Sequence, residues 1–182
     1  MQVFEADHDF IKYLSLVLSN QGLEVHLRQV AGLTLKAQLD KDFCAIPMTS
    51  TYYIQGHLQR AFHDADATVR KTVANVMAVI MAQGGFNVWQ DLPRFLTDNV
   101  RGYPEQGELV LTSIETLAFI VEDCTLHDSD EYALVVEYMF NPVCALIQRP
   151  ASQTYTPLDM KIKSAALNTV NMLLMTGTQS VT

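Results

Sequence analysis

The stretch Val69-Arg70-Lys71-Thr72-Val73-Ala74-Asn75-Val76-Met77 decides the fold of this chain. Val69, Val73 and Met77 recur at a spacing of four, which gathers them on one side of a helix. The same apolar triplet returns upstream as Leu27, Ala31 and Leu35. It returns downstream as Val110, Ile114 and Ala118, and again as Ile162, Ala166 and Val170. The intervals between first members are 42 (69 − 27), 41 (110 − 69) and 52 (162 − 110) residues. The polar stretch Gln148 to Pro157 accounts for the longer last interval. An Arg follows the first apolar position in two copies (Arg28, Arg70) and a Lys in the fourth (Lys163), whereas the third has Leu111.

A period of about 40–47 residues with two helices per unit is the mark of HEAT or armadillo arrays. The expected fold class is therefore all-α, an α-solenoid of about four HEAT repeats built from antiparallel helix pairs. Their approximate bounds are 8–40, 49–84, 86–124 and 128–177, in one continuous array without a second domain. Outward from the quoted stretch, Asp66 can cap its helix and Gly84-Gly85 can end it. Phe10, Ile11, Leu14, Val17 and Leu18 give a first helix over 8–19, closed by Asn20-Gln21-Gly22. A second follows over 24–39, and Thr49 or Ser50 can cap a third that carries Ile54, Leu58 and Phe62. Val88, Trp89, Leu92, Phe95 and Leu96 mark a short helix, expected to be kinked near Pro93. Another spans 108–123. Asp128, Ser129 or Asp130 can start one running towards Gln148 with a kink or break at Pro142, and Pro157 suits the first turn of the last helix. Sustained alternation of the strand type is absent from the sequence.

Composition sets limits on function. The 182 residues are 49% hydrophobic, enough for a substantial core, and the formal charge is −8. That balance argues against nucleic acid, whose phosphates call for clustered Lys and Arg, and it permits a basic protein partner. Cys44, Cys124 and Cys144 are few and odd in number, so they read as reduced thiols of a cytosolic or nuclear protein. The start, MQVFEADHDF, lacks the basic and apolar regions of a signal peptide. Apolar runs are broken before membrane-span length, so no membrane association is expected.

Assembled catalytic chemistry is likewise not expected. His8, His26, His57, His63 and His127 form no H-E-x-x-H pattern, and neither a G-x-S-x-G elbow nor a phosphate loop occurs. Cys124-x-x-His127 is one close Cys/His pair, whereas structural zinc needs four ligands. No catalytic residue, metal or cofactor is assigned. The polar positions of the second helix in each pair carry more information. By the 3.6-residue period, Gln29, Lys36, Lys71, Asn75, Glu115, Glu122, Asp123, Asn168 and Asn171 point away from the apolar triplets. Repeat arrays bind partners along such aligned surfaces. The plain alternative for any one of these residues is the solvated side of a helix. The outermost helices present a different feature: Phe10, Leu14 and Val17 at one end, and Leu173, Leu174 and Met175 at the other, lack a neighbouring repeat. End-to-end self-association is therefore expected of the chain alone.

The segment Arg28-Gln29-Val30-Ala31-Gly32-Leu33-Thr34-Leu35-Lys36 resembles the R-x-x-A-x-x-x-L-K signature near the start of importin-beta-type nuclear transport receptors. Further stretches resemble the karyopherin beta-2 branch in order: Asp9-Phe10 through Val17-Leu18, Val69 to Val73, Gly84-Gly85, Trp89 to Pro93, Glu122-Asp123-Cys124, and Lys161 to Ser164 with Val170-Asn171. The resemblance implies an N-terminal piece of a much longer receptor, with a first repeat before Met1. The loop from Gln148 to Pro157 is longer than the family pattern. It further implies a shuttling protein of cytoplasm and nucleus whose second helices bind the GTPase Ran in its GTP form, releasing import cargo. Cargo and nucleoporins are implied to bind through parts of the receptor outside this chain. Lys36, Glu122 and Asp123 match the family's positions, whereas Gln29, Lys71, Asn75, Glu115 and Asn171 rest on the helical-face argument alone. A HEAT scaffold of another kind, such as a phosphatase scaffold or assembly factor, shares the architecture without a Ran role.

Overall fold

The computed structural model describes residues 8–123, 136–148 and 155–179. Helices dominate and no strand occurs among the described residues. The chain forms two compact units, one ending at Val88 and the other beginning at Trp89.

In the first unit, α1 (His8–Ser19), α2 (Val25–Asp42), α3 (Met48–Phe62) and α4 (Ala67–Val88) make two helix pairs. α1 packs on α2 and α3 on α4, while α1 also stacks on α3 and α2 on α4. Each pair thus buries its apolar stripe between partner and neighbour. Leu18, Leu35, Ile54, Leu58, Phe62, Val69, Val73 and Met77 are fully enclosed. Asp66 caps α4, accepting from the N–H of Thr68 at 2.8 Å and of Val69 at 3.3 Å. Those two donors hold its carboxyl below the usual range. Gly85 breaks the helical path with φ 64° and ψ −172°, a region open essentially to glycine alone. Pro47, not Thr49 or Ser50, occupies the cap position of α3. Its fixed φ suits the entry into a helix, and the N–H it lacks is one the first turn leaves unpaired anyway.

The first apolar triplet needs correction. Leu27 is 47% exposed, and the buried positions of α2 are Arg28, Ala31, Gly32, Leu35 and Leu39. Ala31 and Leu35 are buried as the apolar pattern indicates, but the first member is not, because an arginine with buried partners takes the inward place beside Leu27. The Arg28 guanidinium pairs with the Asp64 carboxylate, both side chains being 4% exposed. Its Nε also donates to the Leu18 carbonyl at 3.0 Å. Arg70, one helix pair later, donates to the carbonyls of Asp64 and Ala65 at 2.8 and 2.9 Å. Both arginines therefore close the turn between α3 and α4. On α1 and α3, Ser19 Oγ lies 2.7 Å from His57 Nδ1. Burial, then the nearby Arg60 charge, push the His57 pKa down.

The second unit holds α5 (Leu92–Val100), α6 (Gly107–Asp123), a π-helical turn (Val136–Phe140) running into α7 (Asn141–Gln148), and α8 (Pro157–Gln179). α5 packs on α6, α7 on α8, and α6 on α8. Pro93 does not kink α5. It sits in the first turn, where the missing N–H costs nothing, and Trp89 stays in the preceding turn. On α6, Val110 and Ile114 are buried as the pattern indicates, but Leu117 and Val121 continue the buried stripe, whereas Ala118 is only partly buried. Pro142 does disturb its helix as expected. A proline offers no N–H to the carbonyl four residues back, which here is Tyr138. The helix widens into a π turn over these residues, and the Thr97 hydroxyl of α5 donates to the Tyr138 carbonyl at 3.0 Å. Buried Thr112, Ser113 and Thr116 satisfy their hydroxyls on carbonyls one turn back in α6.

Thr156 and Asp159 form a reciprocal cap at the start of α8, with Thr156 accepting from the Asp159 N–H at 3.1 Å. The Tyr103 hydroxyl donates to Asp159 as well, and with the Thr156 hydroxyl and N–H it holds the carboxyl down to about 2. A folded pKa below the ordinary 3.8 gives stability that is complete above that value and lost as pH falls through about 2. Asp159→Asn is therefore expected to be less stable than the parent at about pH 5, with the gap closing towards about pH 2.5. Denaturant midpoints across that range check it, and a gap independent of pH would refute the assignment.

Among the expected uncovered end residues, Phe10, Leu174 and Met175 are exposed, whereas Leu14 and Leu173 are buried within their own units. The Cys124-x-x-His127 pair, the helix start at Asp128 to Asp130 and most of the loop before Pro157 lie outside the described residues. No described helix is long and apolar enough to cross a membrane.

Candidate functional site

In the first unit, α2 and α4 are the stacked second helices. Lys71 is exposed on α4 and Asn75 partly so, on the solvent stripe that begins at Ala67 and Thr68. Gln29 and Lys36 are half-buried on the flank of α2. Lys36 Nζ reaches Asp40 Oδ2 at 3.7 Å, one turn along its own helix. The exposed side of α2 is apolar, with Leu27, Val30 and Leu33 all uncovered. The signature around Arg28 is thus mainly a folding motif: Arg28, Ala31 and Leu35 face inward and only Lys36 retains access to solvent.

The second unit draws its candidates together better. α6 and α8 are parallel neighbours, since Gly107 at the start of α6 lies against Leu158 and Ile162 near the start of α8. An open groove of about 540 Å³ runs between them. Leu111, Glu115, Phe119 and Glu122 stand on its α6 wall, at spacings of four, four and three. The α8 wall carries Lys161, Asn168 and Met172. From Val110 to Glu122, every α6 position that is not buried lines this groove. The parallel register puts Lys161 towards the Leu111 end, Asn168 about level with Glu115, and Met172 about level with Phe119. Asn168 Nδ2 lies 3.6 Å from the Met172 sulfur.

Glu115, Glu122 and Asn168 are therefore brought into one surface, as the helical period indicates. Asp123 is the last residue of α6. Asn171 is exposed outside the groove, on the side of α8 that carries Leu167 and Leu174. Lys161, Phe119 and Met172 were not among the candidates. Lys161 lies in the second turn of α8, and the two apolar residues read as core until the stacking of α6 on α8 leaves them at the lip. Chemically the groove offers two carboxylates, one ammonium group and an apolar floor, which suits a protein segment.

Over 129 residues the chain is 32% identical to Transportin of Dictyostelium discoideum, covering 70% of this chain and 14% of that protein. Residues 1–75 match the importin-beta N-terminal domain. The chain belongs to the importin-beta family. A second relative, Transportin-1 of Oryza sativa subsp. japonica, is 29% identical over 104 residues, which is 54% of this chain and 12% of that protein. The chain thus spans a small part of the length of the transportins it matches. The importin-beta domain match covers the whole described first unit up to Asn75, including the Arg28–Asp64 pair. The α6–α8 groove lies beyond it.

Proposed function

We propose that this chain is the N-terminal part of a transportin-like nuclear import receptor, a non-catalytic scaffold whose second helices bind Ran in its GTP form and so control release of cargo. The helix pairs are read as one HEAT array, shuttling between cytoplasm and nucleus, with cargo and nucleoporins held elsewhere on the receptor. Each unit contributes its own second-helix surface: Gln29, Lys36, Lys71 and Asn75 in the first, Glu115, Glu122, Asp123 and Asn171 in the second. The observation that supports this best is the acidic open face of α6, with Glu115 and Glu122 accessible on a second helix of an importin-beta family member. Carboxylates at the rim of such a surface act mainly by steering a basic partner and setting its association rate.

Charge reversal at Glu122 and Asp123 is expected to slow association with Ran-GTP at low salt, with the deficit shrinking as salt rises. Glu122 is exposed, so its reversal should change stability by no more than about 0.5 kcal/mol. Surface-bound Ran loaded with GTP or GDP gives the measurement. Equal capture of the two nucleotide forms would sink the Ran reading. A nucleotide preference with unchanged association rates in the mutant would move the contact off α6.

A further inference from the structure

We infer that His57 is a proton-operated catch: as a neutral imidazole it holds the Arg60 guanidinium against α3, and on taking up a proton it releases that guanidinium to solvent while α1 stays docked on α3. The inference concerns the first unit alone and does not depend on the Ran reading. Three observations carry it.

The first is the set of atoms around the ring. His57 is 7% exposed. Ser19 Oγ, at the end of α1, lies 2.7 Å from Nδ1, and the same oxygen lies 3.1 Å from the Leu16 carbonyl. Arg60 Nη2 lies 3.1 Å from Nδ1 and 3.2 Å from Nε2. One neutral tautomer satisfies every group. In it the Ser19 hydroxyl donates to the Leu16 carbonyl, Nδ1–H donates to Ser19 Oγ, and Nε2 accepts from Arg60.

The second is that a guanidinium can only donate. An imidazolium carries a proton on each nitrogen, so it offers Arg60 no lone pair and sets a like charge against it. Nδ1–H still donates to Ser19, so the bond between α1 and α3 survives protonation. Arg60 is the exposed partner, with solvent to move into. Its other contact here is Nε to the Gly56 carbonyl, a long 3.3 Å.

The third is the charge around the ring. α3 packs on α1 and α4. On α1, Asp9 and Lys12 pair with each other, and Lys12 is seven positions (19 − 12) from Ser19, about 10 Å along the axis. On α4, Arg70 is tied to the Asp64 and Ala65 carbonyls, and Lys71 is exposed. α3 itself contains no Asp or Glu, and Asp64 beyond its end is buried against Arg28. His63, six positions on, meets the Phe62 ring edge-on. No carboxylate among the described residues therefore stands beside His57 to favour its charged form or to recapture Arg60. The Tyr53 ring, 4.6 Å from the imidazole, does favour an imidazolium. Burial and then the Arg60 charge outweigh it and hold the His57 pKa below the ordinary 6.5. Stability from the neutral ring is thus complete above that value and lost as pH falls through the folded pKa.

The test titrates the whole chain, labelled with ¹⁵N in its arginines, from about pH 7.5 to about pH 5 around the ordinary histidine value. The His57 ring protons are expected to titrate at a lower pH in the native protein than in the same chain unfolded in urea. The Arg60 Nε–H signal should move towards the position of a free arginine with the same midpoint as the His57 ring. In Arg60→Gln the His57 midpoint should rise yet stay below the unfolded value, because burial is the larger cause. In His57→Gln the Arg60 signal should no longer respond to pH. Hydrogen exchange, corrected for intrinsic rates, should show α1 amides losing no more protection in acid than those of α4. An Arg60 signal that ignores the His57 midpoint in the parent protein would overturn the inference, and that comparison needs no variant. So would an Arg60 response that persists in His57→Gln, or a His57 midpoint unmoved by Arg60→Gln. Selective loss of α1 protection would show that acid parts the helices instead, which also overturns it. The outcome is separate from that of the Ran experiment, since the only ligand added is the proton.

Discussion

Replacing Asp64 by alanine is expected to cost about 3–5 kcal/mol, a large share of the roughly 5–15 kcal/mol that holds a domain folded. The carboxylate is buried beside the equally buried Arg28 guanidinium. Its other oxygen accepts from the Asp66 N–H at 3.0 Å, which sets up the turn that caps α4. Alanine leaves the Arg28 charge enclosed with no opposite charge, and it releases the turn as well. Asp64→Asn keeps the shape and one acceptor, so it should cost less. The Arg28→Met/Asp64→Asn double variant should cost less than the sum of its single changes, because the two side chains answer each other. Denaturant unfolding gives the values. A cost under about 1 kcal/mol for Asp64→Ala would show that Arg28 reaches water at little expense.

Gly32→Ala carries the second large effect. A methyl group on Gly32 would lie 2.4 Å from Thr72 Cγ2 and 3.2 Å from Leu18 Cδ1. Alanine is the better helix former by about 0.8–1 kcal/mol, so an exposed helical glycine would gain from the change. Here α2 and α4 must separate or Thr72 must turn, and overpacking of this kind costs about 1–3 kcal/mol. Thr72→Ser removes the offending methyl and keeps the hydroxyl that donates to the Thr68 carbonyl at 2.9 Å. Gly32→Ala should therefore be far less harmful in a Thr72→Ser background. The same penalty in both backgrounds would place the strain elsewhere.

Helix ends were legible in the sequence because their causes are local. Asp66 caps α4 through its own neighbours, Gly85 adopts a backbone angle few other residues tolerate, and Pro157 begins a helix where its missing donor is harmless. Pro93 misled because a proline in a first turn and one in a helix interior look alike until the boundary is known. Inward facing was less legible. Leu27 is the more apolar residue, yet Arg28 turns in, since its partners Asp64 and the Leu18 carbonyl come from other helices. Hydropathy records side chains one at a time and cannot register such a pair. The same limit governs the candidate site. Glu115, Glu122 and Asn168 followed from helical period alone. The groove also needs Lys161, Phe119 and Met172, which join it only once α6 has stacked on α8. Asn171 shows the converse: its position on the wheel is open, but it looks out on the opposite flank of α8.

The surface of α6 leaves little room for drift. Between Val110 and Glu122 each residue is either enclosed in the second unit or part of the groove wall. On most amphipathic helices an outer face of spare positions absorbs random substitution. α6 has none over this span, so a saturation scan scored for folding and for ligand capture together should find every position sensitive in one screen or the other. α2 should behave differently, since Val30 and Leu33 on its uncovered side belong to neither class.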